Sequence, residues 1–161
     1  MKNKPLIFLG GCVFLVIMCF LCAGLGVFGF GEVYKDLDEL DIEYSKPEVI
    51  EEGDVFEWEI IVTNTGDKDI EIHEVEIEKS ILEGTEVLTS EPMFTSEEDT
   101  SALGFELLSY YYQDLVIEAG ETETITFEMK ARESGSFAGT VTLYSTRFFN
   151  SIESYERFFI E

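Results

Sequence analysis

Alternation of apolar and polar residues dominates the chain beyond residue 55. Phe56, Trp58, Ile60 and Val62 alternate with Glu57, Glu59, Ile61 and Thr63, a period of two that predicts a strand with glutamate on its wet side. Asn64-Thr65-Gly66-Asp67 closes it with turn chemistry. Ile70 and Ile72 alternate with Glu71, and then Val75 and Ile77 with Glu74, Glu76 and Glu78. The phase slips between Ile72 and Val75, which predicts a bulge or a crossing between sheets. Tyr111 to Ile117 leads into a hairpin turn at Glu118-Ala119-Gly120-Glu121, and Ile125, Phe127, Met129 and Ala131 alternate after it. Glu133-Ser134-Gly135 marks another turn, followed by Phe137, Gly139, Val141 and Leu143, and Tyr155 to Ile160 ends the series. About seven short strands at this spacing predict an all-β fold of two packed antiparallel sheets.

The N-terminus follows another rule. Residues Pro5 to Gly31 form 27 consecutive uncharged positions, with only Lys2 and Lys4 before them. As a helix, at about 1.5 Å per residue, the run exceeds a hydrocarbon core of about 30 Å. It predicts a single-pass transmembrane helix over 5–31, a cytoplasmic N-terminus over 1–4, an acidic tether over 32–45 and a displayed domain over 46–161. The two lysines before the span, against Glu32, Asp36, Asp38, Glu39 and Asp41 after it, orient that domain outside the cytoplasm. A cleaved signal peptide is the rival reading, but its apolar region would be shorter. A lipobox at Leu9-Gly10-Gly11-Cys12 has too few apolar residues before it.

Cys12, Cys19 and Cys22 all fall inside the apolar run, so the domain has no disulfide framework. Cys19-x-x-Cys22 lacks the exposed, electropositive setting that thiolate chemistry needs. Cys19/Ala23 and Cys22/Gly26 present small residues four apart, a feature that favours a weak anchor-mediated dimer. Without Lys2 and Lys4 the chain has 8 Lys and Arg against 34 Asp and Glu, a formal charge of −26 outside the anchor. Such a charge excludes ordinary nucleic-acid binding, which needs a basic footprint, and disfavours lying on anionic lipid.

Catalytic chemistry is hard to assemble from these residues. His73 is the single histidine, and no serine or cysteine stands in a nucleophile motif. Glu71, Glu74, Glu76 and Glu78 are expected as a solvated strand face. Asp36-x-Asp38 begins like a calcium loop, yet Asp41 stands where glycine is required. The chain is therefore expected to be no enzyme, with no catalytic residue, metal site or cofactor.

The stretch Glu83 to Ser109 is longer than a sandwich connection should be. It is expected as an excursion with a helical piece over Ala102 to Leu108. Within it, Pro92, Met93 and Phe94 supply an apolar anchor, while Glu97, Glu98 and Asp99 would steer a basic partner. These six are the candidate partner-binding residues. The competing expectation is a flap whose Met93, Phe94 and Phe105 cover an open end of the core.

Glu51-Glu52-Gly53-Asp54, Val62-Thr63-Asn64-Thr65-Gly66 and Ile117-Glu118-Ala119-Gly120-Glu121, each beside an alternating strand, resemble bacterial and archaeal extracellular immunoglobulin-like modules of the cell-adhesion-related kind. The resemblance spans about residues 47 to 145. It implies an immunoglobulin-like sandwich with an adhesive, spacer or protein-binding role, and brings no catalytic residues with it. Phe137 stands where a tyrosine corner would have its hydroxyl, and Gly139 where a disulfide cysteine would follow.

The function expected is thus a membrane-anchored extracytoplasmic module that acts without catalysis in binding an unidentified envelope or surface protein. One alternative is a subunit of a pilus-like surface filament, although Lys4-Pro5 is no processing site. Another is a carbohydrate-binding sandwich using Tyr110-Tyr111-Tyr112 and Phe148-Phe149.

Overall fold

A computed structural model describes residues 38–101, 104–145 and 150–161. The expected transmembrane helix, the cytoplasmic lysines and the three cysteines lie outside the described residues. Among those described, no helix is long and apolar enough to cross a membrane.

Two sheets make up the domain. Strands β1 (Leu40–Ser45), β2 (Val55–Asn64), β3 (Ile70–Glu78), β4 (Thr85–Glu91), β5 (Ser96–Asp99), β6 (Leu107–Ile117), β7 (Thr122–Ala131), β8 (Gly135–Ser145) and β9 (Ser151–Ile160) are joined by one short helix, α1 (Lys79–Leu82). The four-stranded sheet runs β1-β2-β7-β4 and the five-stranded sheet β5-β6-β3-β8-β9. All strand pairs are antiparallel. The alternating residues do what their period requires: Trp58, Ile60, Val62, Val75, Ile77, Phe127, Met129, Val141 and Leu143 are fully buried between the sheets. Register places Trp58 opposite Phe127 and Ile60 opposite Ile125. The Trp58 ring lies between Tyr44, Phe127 and Phe158, with centroids 5.8, 5.7 and 5.2 Å away.

The phase slip is a bulge. Register shifts between Ile72 and Glu74 against both neighbours, leaving His73 as the extra residue on β3 relative to β8. On the other side β6 spends three residues over the same interval, and Asp114 takes a positive φ of 60° there.

Three expectations are corrected. The strands number nine among the described residues instead of about seven, because Glu83 to Ser109 holds β4, β5 and the start of β6. Leu107 and Leu108, expected in a helix over 102–108, belong to β6; Gly104 turns the chain with φ 92° just before it. Ala102 and Leu103 lie outside the described residues. Finally, Leu40–Ser45 belongs to the sandwich as β1, although 32–45 is the expected tether: Leu40 is buried, and the strand pairs with β2.

After β1 the chain changes sheets. Proline has no amide to donate and holds the residue before it extended. Past Lys46-Pro47, Ile50 bridges Ile160 of β9 in parallel, with Glu52 N donating to Glu161 O at 3.0 Å and Glu161 N to Ile50 O at 2.9 Å. Lys46 pairs with the inward-facing Glu156 of β9, and the Tyr44 hydroxyl meets that of Ser154. Inward-pointing polar groups of this kind make an edge strand a poor template for further pairing.

Asn64 ties two turns together from a fully buried position. Its Nδ2 donates to Lys68 O at 2.8 Å and Ile117 O at 3.0 Å, its Oδ1 accepts from Gly66 N at 3.0 Å, and its backbone exchanges bonds with Gly120 and Glu121 at 2.9 Å. The turn it holds closes through Glu121 N to Glu118 O at 3.0 Å, with Gly120 at φ 79°, a conformation glycine adopts at no steric cost.

Candidate functional site

The six candidate residues separate in space. Ser90 Oγ donates to Pro92 O at 2.7 Å and accepts from Phe94 N at 3.1 Å, so the 90–94 turn is internally tied. Phe94 is half-buried against the core, its ring 5.1 Å from Tyr110, whereas Met93 is 72% exposed. Phe105 is 66% exposed as well, so of the three residues expected to cover the core only Phe94 does so. Glu97, Glu98 and Asp99 lie on the exposed edge strand β5. Alternation sets Glu97 opposite the buried Tyr110 and Glu98 opposite Ser109. Asp99 is paired with Lys79 Nζ at 2.6 Å; that bond, with others from Ser101, holds its carboxyl well below the usual carboxylate range.

Glu98 joins a larger arrangement on the outer face of the five-stranded sheet. Register aligns Glu98, Ser109, Glu76, Thr142 and Glu153 in one row across all five strands. The row beside it runs Ser96, Tyr111, Glu74, Tyr144 and Ser151. On the other side Leu107 pairs with Glu78, and Thr140 with Tyr155. Between the Glu76 row and these last pairs lies a recess of ≈ 290 Å³, with Glu76, Glu78 and Glu153 as its acids, Thr140 and Thr142 as hydroxyl donors, and Phe105 and Leu107 as an apolar wall.

The central glutamates are not the freely solvated face that their spacing predicts. Glu76 accepts from Tyr144 Oη at 3.2 Å and from Thr100 Oγ1 at 3.3 Å, and Glu78 accepts from Thr140 N at 3.0 Å. Glu74 has a side chain only 14% exposed. Burial, and then the charge of Glu76, push the Tyr144 hydroxyl up to about 12. Tyr111 is also raised, by burial first and then by Glu74 and Glu98. His73 Nε2 lies 3.7 Å from Glu74, and its Nδ1 has no hydrogen-bond partner among the described residues. Among those residues no group of three His, Cys, Asp or Glu side chains is placed to hold a metal ion.

Of the tyrosines considered for a saccharide platform, Tyr110 and Tyr112 are buried and Tyr111 is half-exposed on this outer face. Phe148 and Phe149 lie outside the described residues. Sequence reasoning missed the recess itself. Its signal, glutamates at 76 and 78, is legible, but the register that sets Thr140, Thr142 and Glu153 beside them is not.

Neither a family model nor a curated protein matches this sequence. Among solved structures, the chain is similar to AvmM, described as catalysing macrocyclisation in alchivemycin A biosynthesis: 12% identity, TM-score 0.50, over 76% of this chain and 89% of that one. It is more distantly similar to BslA, a bacterial hydrophobin (7% identity, TM-score 0.38, 98% of that chain). A GH20 exo-β-N-acetylglucosaminidase from Vibrio harveyi gives 8% identity and TM-score 0.39 over 18% of that chain. At such identities the first likeness speaks to the fold alone.

Proposed function

We propose that the protein is a membrane-anchored, extracytoplasmic, immunoglobulin-like module that acts without catalysis, binding a protein of the cell envelope or surface. The observation that carries this reading is the uncharged run Pro5 to Gly31, flanked by lysines on one side and acids on the other, ahead of a domain that folds as a sandwich. Sandwiches of this kind are display scaffolds, with function in loops and sheet faces that the core does not constrain.

The immunoglobulin-like part of the reading draws on strand order. The sheet β1-β2-β7-β4 follows the A-B-E-D arrangement, and β9-β8-β3 follows G-F-C with two strands added beyond C, as variable-type domains add theirs. Two features depart from that plan: β4, in the D position, precedes the two added strands along the chain, and the outer of those, β5, precedes the inner, β6. The non-catalytic part draws on the residue inventory, in which one histidine sits in a strand bulge and no nucleophile motif occurs.

Membrane fractionation with protease protection tests the reading. The chain stays in membranes through an alkaline carbonate wash, and protease added outside intact cells removes the domain. Soluble mature protein beginning near Leu25 defeats it.

A further inference from the structure

Four glutamates on the outer face of the five-stranded sheet, Glu76, Glu78, Glu98 and Glu153, have no ion-pair partner among the described residues. Arg157, the basic residue that β9 presents on this face, lies over the Phe159 ring with 5.8 Å to its centroid. The carboxylates of Glu76 and Glu78 are fixed by Tyr144, Thr100 and the Thr140 amide, all neutral donors that orient the charge without cancelling it. Holding like charges together on a half-buried strand opposes folding, and a cationic partner relieves that cost.

We propose that this face is a docking surface for an extended protein segment carrying lysine or arginine at alternate positions. The proposal rests on the binding-module reading above and gives the partner its chemistry. Charge complementarity selects a basic occupant, and spacing selects an extended one. Glu74, Glu76 and Glu78 recur every second residue, about 6.6 Å along β3, and an extended partner repeats its own side chains at the same interval. The recess of ≈ 290 Å³ admits a basic head group between Glu76, Glu78 and Glu153. Phe105 on one side and Tyr155, 63% exposed, on the other are placed to cover the aliphatic stem of such a side chain and face its cation. Glu98 extends the field to the β5 edge, which links this surface to one of the six residues that the sequence singles out.

The test uses the full chain in nanodiscs made with neutral lipid, titrated by fluorescence anisotropy with a labelled peptide of alternating lysine and threonine. Binding is expected to weaken with added salt and to fall about tenfold in Glu76→Gln/Glu78→Gln. Glu57→Gln/Glu128→Gln, which removes the same charge from a directly opposed pair on the other sheet, is expected to leave it within about twofold. Phe105→Ala/Tyr155→Ala alters two exposed side chains and is expected to weaken binding without lowering the melting temperature. Zero-length carbodiimide cross-linking of the unaltered protein should join peptide lysines to Glu76, Glu78 or Glu98. Equal losses in the two glutamine doubles, no binding at all, or salt-insensitive binding of neutral oligosaccharides in place of the peptide would each overturn the proposal. Binding in nanodiscs does not depend on which side of a cell membrane the domain occupies. A failed topology test therefore leaves this result standing, and a failed peptide test leaves the anchored module with a different surface.

Discussion

The hydroxyl of Tyr144 on β8 donates to Glu76 Oε1 on β3 at 3.2 Å, and burial together with that carboxylate keeps the phenol protonated up to about 12. Tyr44 and Tyr112 are raised to about 12 as well, both chiefly by burial. In the unfolded chain each phenol ionises at about 10. Above that pH the native state holds more protons than the unfolded one, so stability falls as pH rises. The domain should keep full stability up to about pH 10 and lose it progressively toward pH 12. Denaturant melts across this range, read beside tyrosinate absorbance, check it. In Tyr144→Phe the loss should be shallower, because one of the raised phenols is gone.

Trp58 is fully buried among Tyr44, Phe127 and Phe158, yet its Nε1 has no hydrogen-bond partner among the described residues. Trp58→Ala should cost about 3 to 5 kcal/mol through the cavity it leaves. Trp58→Phe removes the orphaned donor along with less volume, and should cost at most about half as much. Urea unfolding of both variants decides the point. A loss for Trp58→Phe as large as that for Trp58→Ala would mean that the ring volume kept by phenylalanine does not offset the cavity.

Asn64 should be harder to replace than its small size suggests. Asn64→Ala leaves Lys68 O, Ile117 O and Gly66 N without the side-chain partner that joins the β2–β3 turn to the β6–β7 turn. A loss of about 2 to 4 kcal/mol is expected, with Asn64→Asp recovering only the bond from Gly66 N. Native-state hydrogen exchange should show faster opening at Gly66 and Gly120 first, ahead of the strands.

Much of the sandwich is legible in the chain because burial on one face imposes a period of two. Phe56 to Val62 and Ile125 to Ala131 display it without interruption, and the missing beat at His73 reports the bulge directly. Where that period fails, legibility ends. β5 is Ser-Glu-Glu-Asp, exposed throughout, and nothing in its composition marks a strand; backbone pairing to β6 makes it one. β4 presents Leu88 at 43% exposure beside a register shift, so its alternation is broken too. The recess on the outer face is less legible still. Glu76 and Thr142 are neighbours only because β3 and β8 pair in one register, a long-range choice made by the opposite, buried faces.

The segment around Phe94 now separates into parts that can be tested apart. Phe94 packs on Tyr110 and its amide is bound by Ser90, so Phe94→Ala should lower stability by about 2 to 4 kcal/mol, whatever it does to partner capture. Met93, exposed beside it, should be replaceable by serine with a change within about 0.5 kcal/mol. Glu97, Glu98 and Asp99 differ in another way. Asp99 is held by Lys79 and Ser101, so its carboxylate contributes stability above the unfolded pKa that is lost as pH falls toward its lowered native value. Glu98 has no such partner among the described residues and shares a row with Glu76. Substituted singly to serine, Asp99 should therefore alter acid stability, and Glu98 should alter capture of a basic partner with an unchanged melt. Melting curves at neutral and acidic pH, paired with capture assays on the same two single variants, separate the roles. Loss of capture in Asp99→Ser with none in Glu98→Ser would shift the binding surface from the sheet face to the β5 edge.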